Sequence, residues 1–429
     1  MSQPYRIALA GLGTVGVGVA KILKAHAEAI ARKAGRPIEV VAVSARDKSR
    51  NRGFDFSDVT WVEDASTLVN EDVDCIVEMI GGEGGVAKTL AEAALAKGLD
   101  FVTANKALLA HHGYELAKVA EGNNAGLMYE AAVAGGIPVI KAIREGYAAN
   151  DIGAVYGILN GTCNYILTEM RKSGRDFKSV LADAQKLGYA EADPAFDIEG
   201  TDAAHKLCLL TALAFGVKPD FKKLAVKGIT NVTSVDIEFA RQLGYRIKLL
   251  GMARKEGNTI VQSVEPCMVP RKSTMGAVDG VFNAVYIEGD FVDTGLLVGR
   301  GAGEGPTASA VVADIIDLAR GTKLPVFGVP YSDLKEANWG RRGKVESQFY
   351  LHLRVMDKPG VLADVSATLR DCDVSIEAML QQGRDPNNPV SIVMTTHEVQ
   401  QKHVEEALEG FANLECVLEK PSMMRIEDF

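Results

Sequence analysis

The chain has 429 residues, 47% hydrophobic and 24% charged, with a formal net charge of −9; this suits about three globular domains and argues against a nucleic-acid role. No apolar run approaches the ~18 residues that span a bilayer, and no basic segment followed by an apolar run opens the chain, so neither a membrane nor an export role is expected. The six cysteines (Cys75, Cys163, Cys208, Cys267, Cys372, Cys416) are scattered without a CxxC pair, which reads as buried thiols in a reducing cytoplasm.

Tyr5–Ala10, YRIALA, suits a buried parallel strand. It runs into Gly11-Leu12-Gly13-Thr14-Val15-Gly16, and a helical pattern follows with Val19, Ile22, Leu23 and Ile30 apolar. Strand, GxGxxG, helix is the context of a dinucleotide fingerprint. The glycines allow a tight turn and close approach of backbone to pyrophosphate, and free N–H groups at the helix start face the phosphates. A second strand, 38–43, ends in Ser44-Ala45-Arg46-Asp47-Lys48. An acid at the strand end would hold a ribose 2′-hydroxyl; the Arg46 guanidinium suits a 2′-phosphate instead. NADP is therefore expected, with NAD as the alternative.

Two more strands, 73–80 and Asp100–Thr103, end at Gly81-Gly82 and at Ala104-Asn105-Lys106. Ligands in parallel sheets bind beyond the carboxyl ends of strands, so Lys106 falls on the cofactor side. In 127–139, LMYEAAVAGGIPV, the carboxylate of Glu130 precedes a glycine-rich turn. Turn carbonyls with one carboxylate suit a hard monovalent cation; an ordinary structural turn is the alternative.

The segment 157–167, GILNGTCNYIL, looks like a strand turning through Asn-Gly into a helix. The stretch 188–206, GYAEADPAFDIEGTDAAHK, is rich in carboxylates and ends in Lys206. Asp202 and Lys206 stand four apart, so on a helix they share one face, continued by Leu209, Leu210 and Leu213. A charged pair in line with a core stripe is partly desolvated, which makes the lysine a tunable acid; a solvated pair is the plainer alternative. His205 points about 100° away from Lys206 on such a helix and reads as structural. No His/Cys cluster has zinc spacing, so no metal Lewis acid is expected.

With TANKALLA at 103–110, these two segments make residues 5 to about 320 resemble homoserine dehydrogenases, and the C-terminal extension resembles that of the regulated monofunctional form. The resemblance implies NAD(P)H-dependent reduction of L-aspartate 4-semialdehyde to L-homoserine, toward threonine, methionine and isoleucine. It implies Lys206 as proton donor, Lys106 as a second active-site lysine near the nicotinamide, and Glu191 and Asp202 as substrate-holding carboxylates. Glu130, with the backbone oxygens of Val133, Gly135 and Ile137, matches the family's sodium site. Leu12, Thr14, Val15, Arg46, Gly188 and Gly303 match cofactor contacts. The rivals are another Rossmann-type amino-acid dehydrogenase and a nucleotide- and amino-acid-binding sensor without turnover.

Further strands are expected near Leu249 and Val261 and over 281–287, a sheet that would serve a homodimer or homotetramer, followed by a glycine-rich return at 297–307 and a helix that packs back on the nucleotide domain. By composition 321–348 is a linker. Beyond it, alternation at Phe349, Leu351, Leu353 and Val355 marks a half-buried strand, broken by Asp357-Lys358-Pro359-Gly360. A helix with Val361, Leu362, Val365 and Leu369, strands at 374–380 and 390–395, a helix with Val404, Leu408 and Phe411, and a last strand at 414–418 complete βαββαβ. With DKPGVL this resembles an ACT domain, implying an amino-acid effector, threonine being the family's usual inhibitor; a module that only aids oligomerisation is the alternative. The expected fold class is α/β: a Rossmann-type domain at 1–135 with a return helix at 308–320, an α+β catalytic and dimerisation domain at 136–307, the linker at 321–348, and an ACT-like βαββαβ domain at 349–429.

Overall fold

The computed structural model describes residues 3–382 and 389–429; of the expected domains, residues 1–2 of the first and 383–388 of the last lie outside the described residues. The first apolar run forms β1 (Tyr5–Ala10), and the glycine turn releases it into α1 (Thr14–Ala25). The apolar spacing read through to Ile30 crosses a break: the backbone leaves the helix at His26, and α2 (Ala27–Ala34) begins beyond it. No glycine or proline marks the break, so periodicity alone runs through it. Then come β2 (Ile38–Ser44), β3 (Thr60–Trp61), β4 (Cys75–Glu78), α3 (Gly85–Ala96), β5 (Asp100–Thr103), α4 (Lys106–Gly122) and β6 (Leu127–Met128). The strands lie parallel in the order β3-β2-β1-β4-β5-β6. Strand order reverses between β1 and β4, which opens a crevice beyond their carboxyl ends. Helices cover both faces of the sheet, so Ile7, Leu9, Ile76, Val77, Phe101 and Val102 are wholly buried, which explains the nearly unbroken apolar runs.

The middle of the chain begins with α5 (Val139–Lys141), β7 (Ile152–Ile158), α6 (Gly161–Ser173), α7 (Phe177–Lys186), α8 (Ala195–Ile198) and α9 (Thr201–Phe215). It continues through β8 (Ala225–Val226), α10 (Ser234–Gln242), β9 (Tyr245–Glu256), β10 (Thr259–Pro270), β11 (Phe282–Gly289), β12 (Asp293–Arg300) and α11 (Glu304–Ala319). α9 is buried on every side from Asp202 to Leu213, the pattern of a central helix rather than a surface one. α11 returns to α1 across Gly18, where a Cβ would lie 2.8 Å from Glu304 Cγ, and Lys21 Nζ meets Glu304 Oε1 at 2.7 Å. The stretch after α11 is pressed onto the body: Val326 and Phe327 are buried, and Tyr129 Oη donates to Val326 O at 3.0 Å. Further along, the Lys218 and Ile260 amides donate to Lys335 O and Asn338 O.

The C-terminal module comprises β13 (Glu346–Met356), α12 (Val361–Asp371), β14 (Ile376–Gln382), β15 (Pro389–Thr396), β16 (Val399–Gln400), α13 (Gln401–Ala412) and β17 (Ser422–Ile426). The last strand is thus displaced from the expected 414–418. The Leu414 and Val417 amides bond to Phe411 O and Leu414 O as successive turns; Cys416 O accepts the Met356 amide and the Leu418 amide donates to Arg354 O around one bridge, Val417 to Val355, and the last strand forms only after Pro421. β17 pairs antiparallel with β13 and, on its other side, parallel with β10. One mixed sheet, with main path β12-β11-β7-β9-β10-β17-β13-β15-β14, therefore runs through both the middle domain and the module.

Candidate active site

Asp202 and Lys206 occupy the first two turns of α9. Gly200, at φ 90°, turns α8 into it. An acid in the first turn complements the helix dipole. Lys206 Nζ donates to Asp202 Oδ2 at 2.6 Å and to Leu159 O at 2.7 Å. Lys106, the first residue of α4, reaches across from the nucleotide domain, its Nζ 3.1 Å from Asp202 Oδ1. One carboxylate thus stands between two ammonium groups from different domains. Asn105 fixes the approach of Lys106: its Oδ1 caps α4 by accepting the Leu108 amide at 3.0 Å, and its Nδ2 donates to Gly82 O at 2.7 Å. Such a cap stabilises a helix start by about 1 kcal/mol.

Asn160, which the sequence reading placed in a turn without a role, is the group that orients Asp202. Its Nδ2 donates to Asp202 Oδ2 at 2.8 Å and to Asp197 Oδ1 at 2.7 Å, while its Oδ1 caps α6 through the Cys163 amide. The Asn-Gly turn before the helix was the available signal.

Asp202 and Lys206 are 5% and 8% exposed, so their charges act on each other with little water between. Burial opposes the Asp202 carboxylate, but the Lys206 and Lys106 charges and the hydrogen bonds from Lys206 and Asn160 outweigh it and hold the group well below the usual carboxylate range. Burial pulls Lys206 below the ordinary lysine range; Lys106 acts the same way and Asp202 opposes both. Asp197 shifts up, by burial first and the neighbouring Asp202 second. His205 is buried, stacked on Phe221 at 4.4 Å between centroids, with Nε2 3.3 Å from His111 Nε2. Burial, His111 and Lys106 push it down to about 4, so it is neutral at neutral pH.

Glu191 lies on the exposed loop between α7 and α8, where Gln185 Nε2 donates to its backbone carbonyl at 3.1 Å. No contact among the described residues brings its carboxylate to the lysines. Gly188, at φ 75°, follows α7, and Gly303, at φ 120°, precedes α11; both are exposed.

On the nucleotide side, Gly11 takes φ 103°, and a Cβ there would lie 2.7 Å from Met79 O; at Gly16 it would lie 2.0 Å from Gly11 O. Packing of β1, β4 and α1 thus requires these two glycines. α1 starts at Thr14, and Gly13 before it places no side chain over the helix N-terminus; Leu12 is buried and Val15 half-buried beside it. Glu78, missed from sequence, is fully buried at the end of β4. Its carboxylate accepts the Ile80 and Gly81 amides at 2.6 and 2.8 Å and the Thr103 hydroxyl at 2.5 Å, fixing the rim of the crevice. Its signal was a lone acid ending an apolar run. Arg46 is exposed beyond β2, and Asp47 is turned into its own loop, accepting the Ser49 amide at 2.8 Å and hydroxyl at 2.6 Å. Arg52, also missed, donates Nε to Leu12 O at 3.3 Å and lies 5.4 Å from the Trp61 ring. The alternation Arg46, Lys48, Arg50, Arg52 was there to be read.

Glu130 is 2% exposed, and its two carboxylate oxygens accept the Ile140 and Lys141 amides at 2.8 and 2.9 Å. Burial first and Asp314 second raise its pKa to about 7. Asp314 Oδ2 accepts the Glu130 amide, while Asp314 Oδ1 has no hydrogen-bond partner among the described residues, with Lys141 Nζ 3.4 Å away. The neighbouring charge that sequence did not foresee comes from α11.

Family models match in three pieces: homoserine dehydrogenase, NAD binding domain, over 11–130; homoserine dehydrogenase over 138–316; and ACT domain over 350–415. The homoserine dehydrogenase of Neisseria gonorrhoeae is 44% identical over 99% of both chains, and that of Pseudomonas aeruginosa 42% with the same coverage. The crystal structure of a homoserine dehydrogenase from Thiobacillus denitrificans matches with a TM-score of 0.94 at 42% identity, over 99% of both chains. A hyperthermophilic archaeal homoserine dehydrogenase in complex with NADPH matches over 73% of this chain and 97% of its own, at 26% identity and a TM-score of 0.64. Two lysines on one buried carboxylate, set beside a dinucleotide crevice, agree with these matches along the chain's whole length: it belongs to the homoserine dehydrogenase family.

Proposed function

We propose that this oxidoreductase interconverts L-aspartate 4-semialdehyde and L-homoserine on the route to threonine, methionine and isoleucine, prefers NADP to NAD, and is feedback-regulated through its ACT module. The observation that carries the catalytic part is Asp202 clamped between Lys106 and Lys206. When bound, the dinucleotide supplies the hydride for the aldehyde carbon or takes it back from the alcohol. Lys206 delivers the proton to the carbonyl oxygen, and its lowered pKa brings it closer to the range in which a general acid works. Lys106 adds a second positive charge against the growing oxyanion. Asp202 keeps Lys206 aimed and, with Glu191 at the rim, offers negative charge to the substrate ammonium.

Gly11, Leu12, Gly13, Thr14, Val15 and Gly16 carry the pyrophosphate, with Gly188 and Gly303 as further cofactor contacts. Arg46 faces the 2′-phosphate; its place beyond β2, with Arg52 against Leu12 and Asp47 turned away, supports the NADP preference. The archaeal relative in complex with NADPH points the same way. A sodium ion fits the oxygen set of Glu130 and the carbonyls of Val133, Gly135 and Ile137: the donors are hard, their charge is low, and Asp314 Oδ1, close to Glu130, has no hydrogen-bond partner among the described residues. Its contribution is structural, at the junction of β6, α5 and α11. The working form is a homodimer or homotetramer in the cytoplasm; no described helix is long and apolar enough to cross a membrane.

The test is NADP-dependent oxidation of homoserine by the purified enzyme and by Lys206→Ala. Wild type should turn over with a lower KM for NADP than for NAD, and Lys206→Ala should bind NADP normally while losing ~10²–10⁴-fold in kcat. Turnover of Lys206→Ala within about threefold of wild type would remove the proton-donor role.

A further inference from the structure

The outer edge of β10 is covered in two short pieces. Ser263 and Val264 pair with β8, Cys267 and Met268 pair with β17, and Pro266, which has no N–H to offer, falls in the gap. At that gap a cleft of about 740 Å³ opens between the catalytic domain and the ACT module, within the usual size range of small-molecule sites. Segment 227–236 makes one wall, and His352, Arg354, Leu408 and Met424 belong to the other. Besides the β10–β17 pairing, one acid ties the walls. Asp236, paired with Thr233 in the capping box of α10, accepts the Tyr350 hydroxyl at 3.1 Å and lies 2.8 Å from His352 Nδ1.

The lining carries both signs of charge. Lys227 and Arg354 are cationic, Glu405 and Glu419 anionic, and Val232 and Leu408 offer apolar surface beside them. Such a surface matches a small zwitterion: a carboxylate for the cations, an ammonium for the acids, and a short side chain.

The catalytic-domain wall leads straight to the catalytic helix. The Ile229 amide donates to Ile198 O at 2.8 Å, and Gly228 is pressed so closely on that turn that a Cβ would lie 2.0 Å from Ile198 O. Ile198 ends α8, Gly200 caps α9, and Asp202 stands two residues on. A ligand held by Lys227 on one wall and Arg354 on the other therefore acts on the turn that sets Asp202 and Lys206. By contrast, the pocket at Asp357, Lys358 and Gly360, about 250 Å³, is lined wholly by the module.

Control at a distance requires a ligand that favours one arrangement of the two domains, which a site built from both can do. We propose that the cleft at Pro266 is an effector site for a zwitterionic α-amino acid, coupled to the catalytic helix through Gly228 and Ile229. This rests on the feedback reading given above.

The test is calorimetric titration of the full-length enzyme with threonine, methionine, isoleucine and lysine, under saturating homoserine so that the active site is occupied, alongside inhibition curves. Lys227→Ala combined with Arg354→Ala, and separately Leu408→Trp to fill the cleft, should each weaken binding and inhibition by roughly tenfold or more, with uninhibited kcat unchanged. Lys358→Ala, at the module's own loop, should stay within about twofold of wild type on the same scale. Loss of response in Lys358→Ala with both cleft variants still responding would overturn the site and leave the feedback reading standing. Wild-type enzyme that binds none of the four amino acids would overturn that reading and the site together.

Discussion

Replacing Asp202 by asparagine keeps the shape of the side chain and removes its charge. The carboxylate meets Lys206 Nζ at 2.6 Å and Lys106 Nζ at 3.1 Å. In the variant one lysine can still donate to Oδ1, but Nδ2 presents a donor to the other lysine or to Asn160. Two ammonium groups then share a largely dry site with no carboxylate between them. Asp202 is the strongest influence holding the Lys206 pKa up against burial and Lys106. Without it that pKa falls further, and on the proposed mechanism, in which Lys206 donates the proton, the alkaline limit of aldehyde reduction moves to lower pH. Loss of aim adds to loss of charge: a hydrogen bond to a charged group contributes about 1.5–3 kcal/mol, or roughly a 10- to 150-fold loss of kcat. Breaking a buried ion pair also costs about 3–5 kcal/mol of stability, so the fold must be checked by circular dichroism at the assay temperature. The assay is the pH profile of kcat for reduction, wild type against Asp202→Asn. An alkaline limb that stays in place, or moves to higher pH, would refute the reasoning, as would kcat within about threefold of wild type.

Arg46→Ala should weaken NADP by roughly 10- to 150-fold and NAD by far less, read as separate dissociation constants by fluorescence titration; equal weakening would place Arg46 away from the 2′-phosphate. Exchanging sodium for choline at constant ionic strength should lower Tm, because a cation bound only by the folded state stabilises it by mass action; identical melting curves would remove the Glu130 ion. A chain ending after Gln348 loses β17, which uncovers β10 at Cys267 and Met268, both fully buried in the intact protein. Each such side chain contributes about 1.5–3 kcal/mol by burial, so the truncated chain should be less stable and less soluble; an unchanged Tm would contradict the shared sheet.

What could be read from sequence was local. The glycine fingerprint works within six residues, and the Asp202–Lys206 pair within one helical turn, so spacing alone places them. Lys106 stands 96 positions before Asp202, and only domain packing brings its Nζ to 3.1 Å; its place at a strand end put it on the cofactor side, but only the resemblance made it a second active-site lysine. Asn160 and Glu78 act by filling hydrogen bonds to groups far along the chain, which no periodicity reports. The last strand was misplaced because 414–418 has strand-like composition and no glycine or proline; its Leu414 and Val417 amides close turns, and it pairs with β13 only around the single Val417–Val355 bridge. The joining of the two sheets depends on backbone pairing at Cys267–Arg425 and Met268–Ile426, which leaves almost no side-chain signature.

That joint changes how the module is to be tested. Compositionally, 321–348 invites cutting the chain there and asking whether the catalytic part still responds to amino acids. The cut, however, strips β17 from the outer edge of β10 and exposes an edge that invites aggregation. It also removes the partners of buried groups: Arg425 Nε lies 3.7 Å from Glu265 Oε1, and Arg254 Nη1 lies 3.8 Å from Glu427 Oε2. Glu265 and Arg254 would lose those partners, and Asp236 would lose Tyr350 and His352. A truncated enzyme deaf to threonine would thus be explained equally well by a lost effector site and by a damaged catalytic sheet. Side-chain changes in the cleft leave β17 paired and Asp236 satisfied, so they isolate the effector from the fold. The module is both a wall of the proposed site and a structural strand of the enzyme, and only substitutions that separate those two roles can show which one carries control.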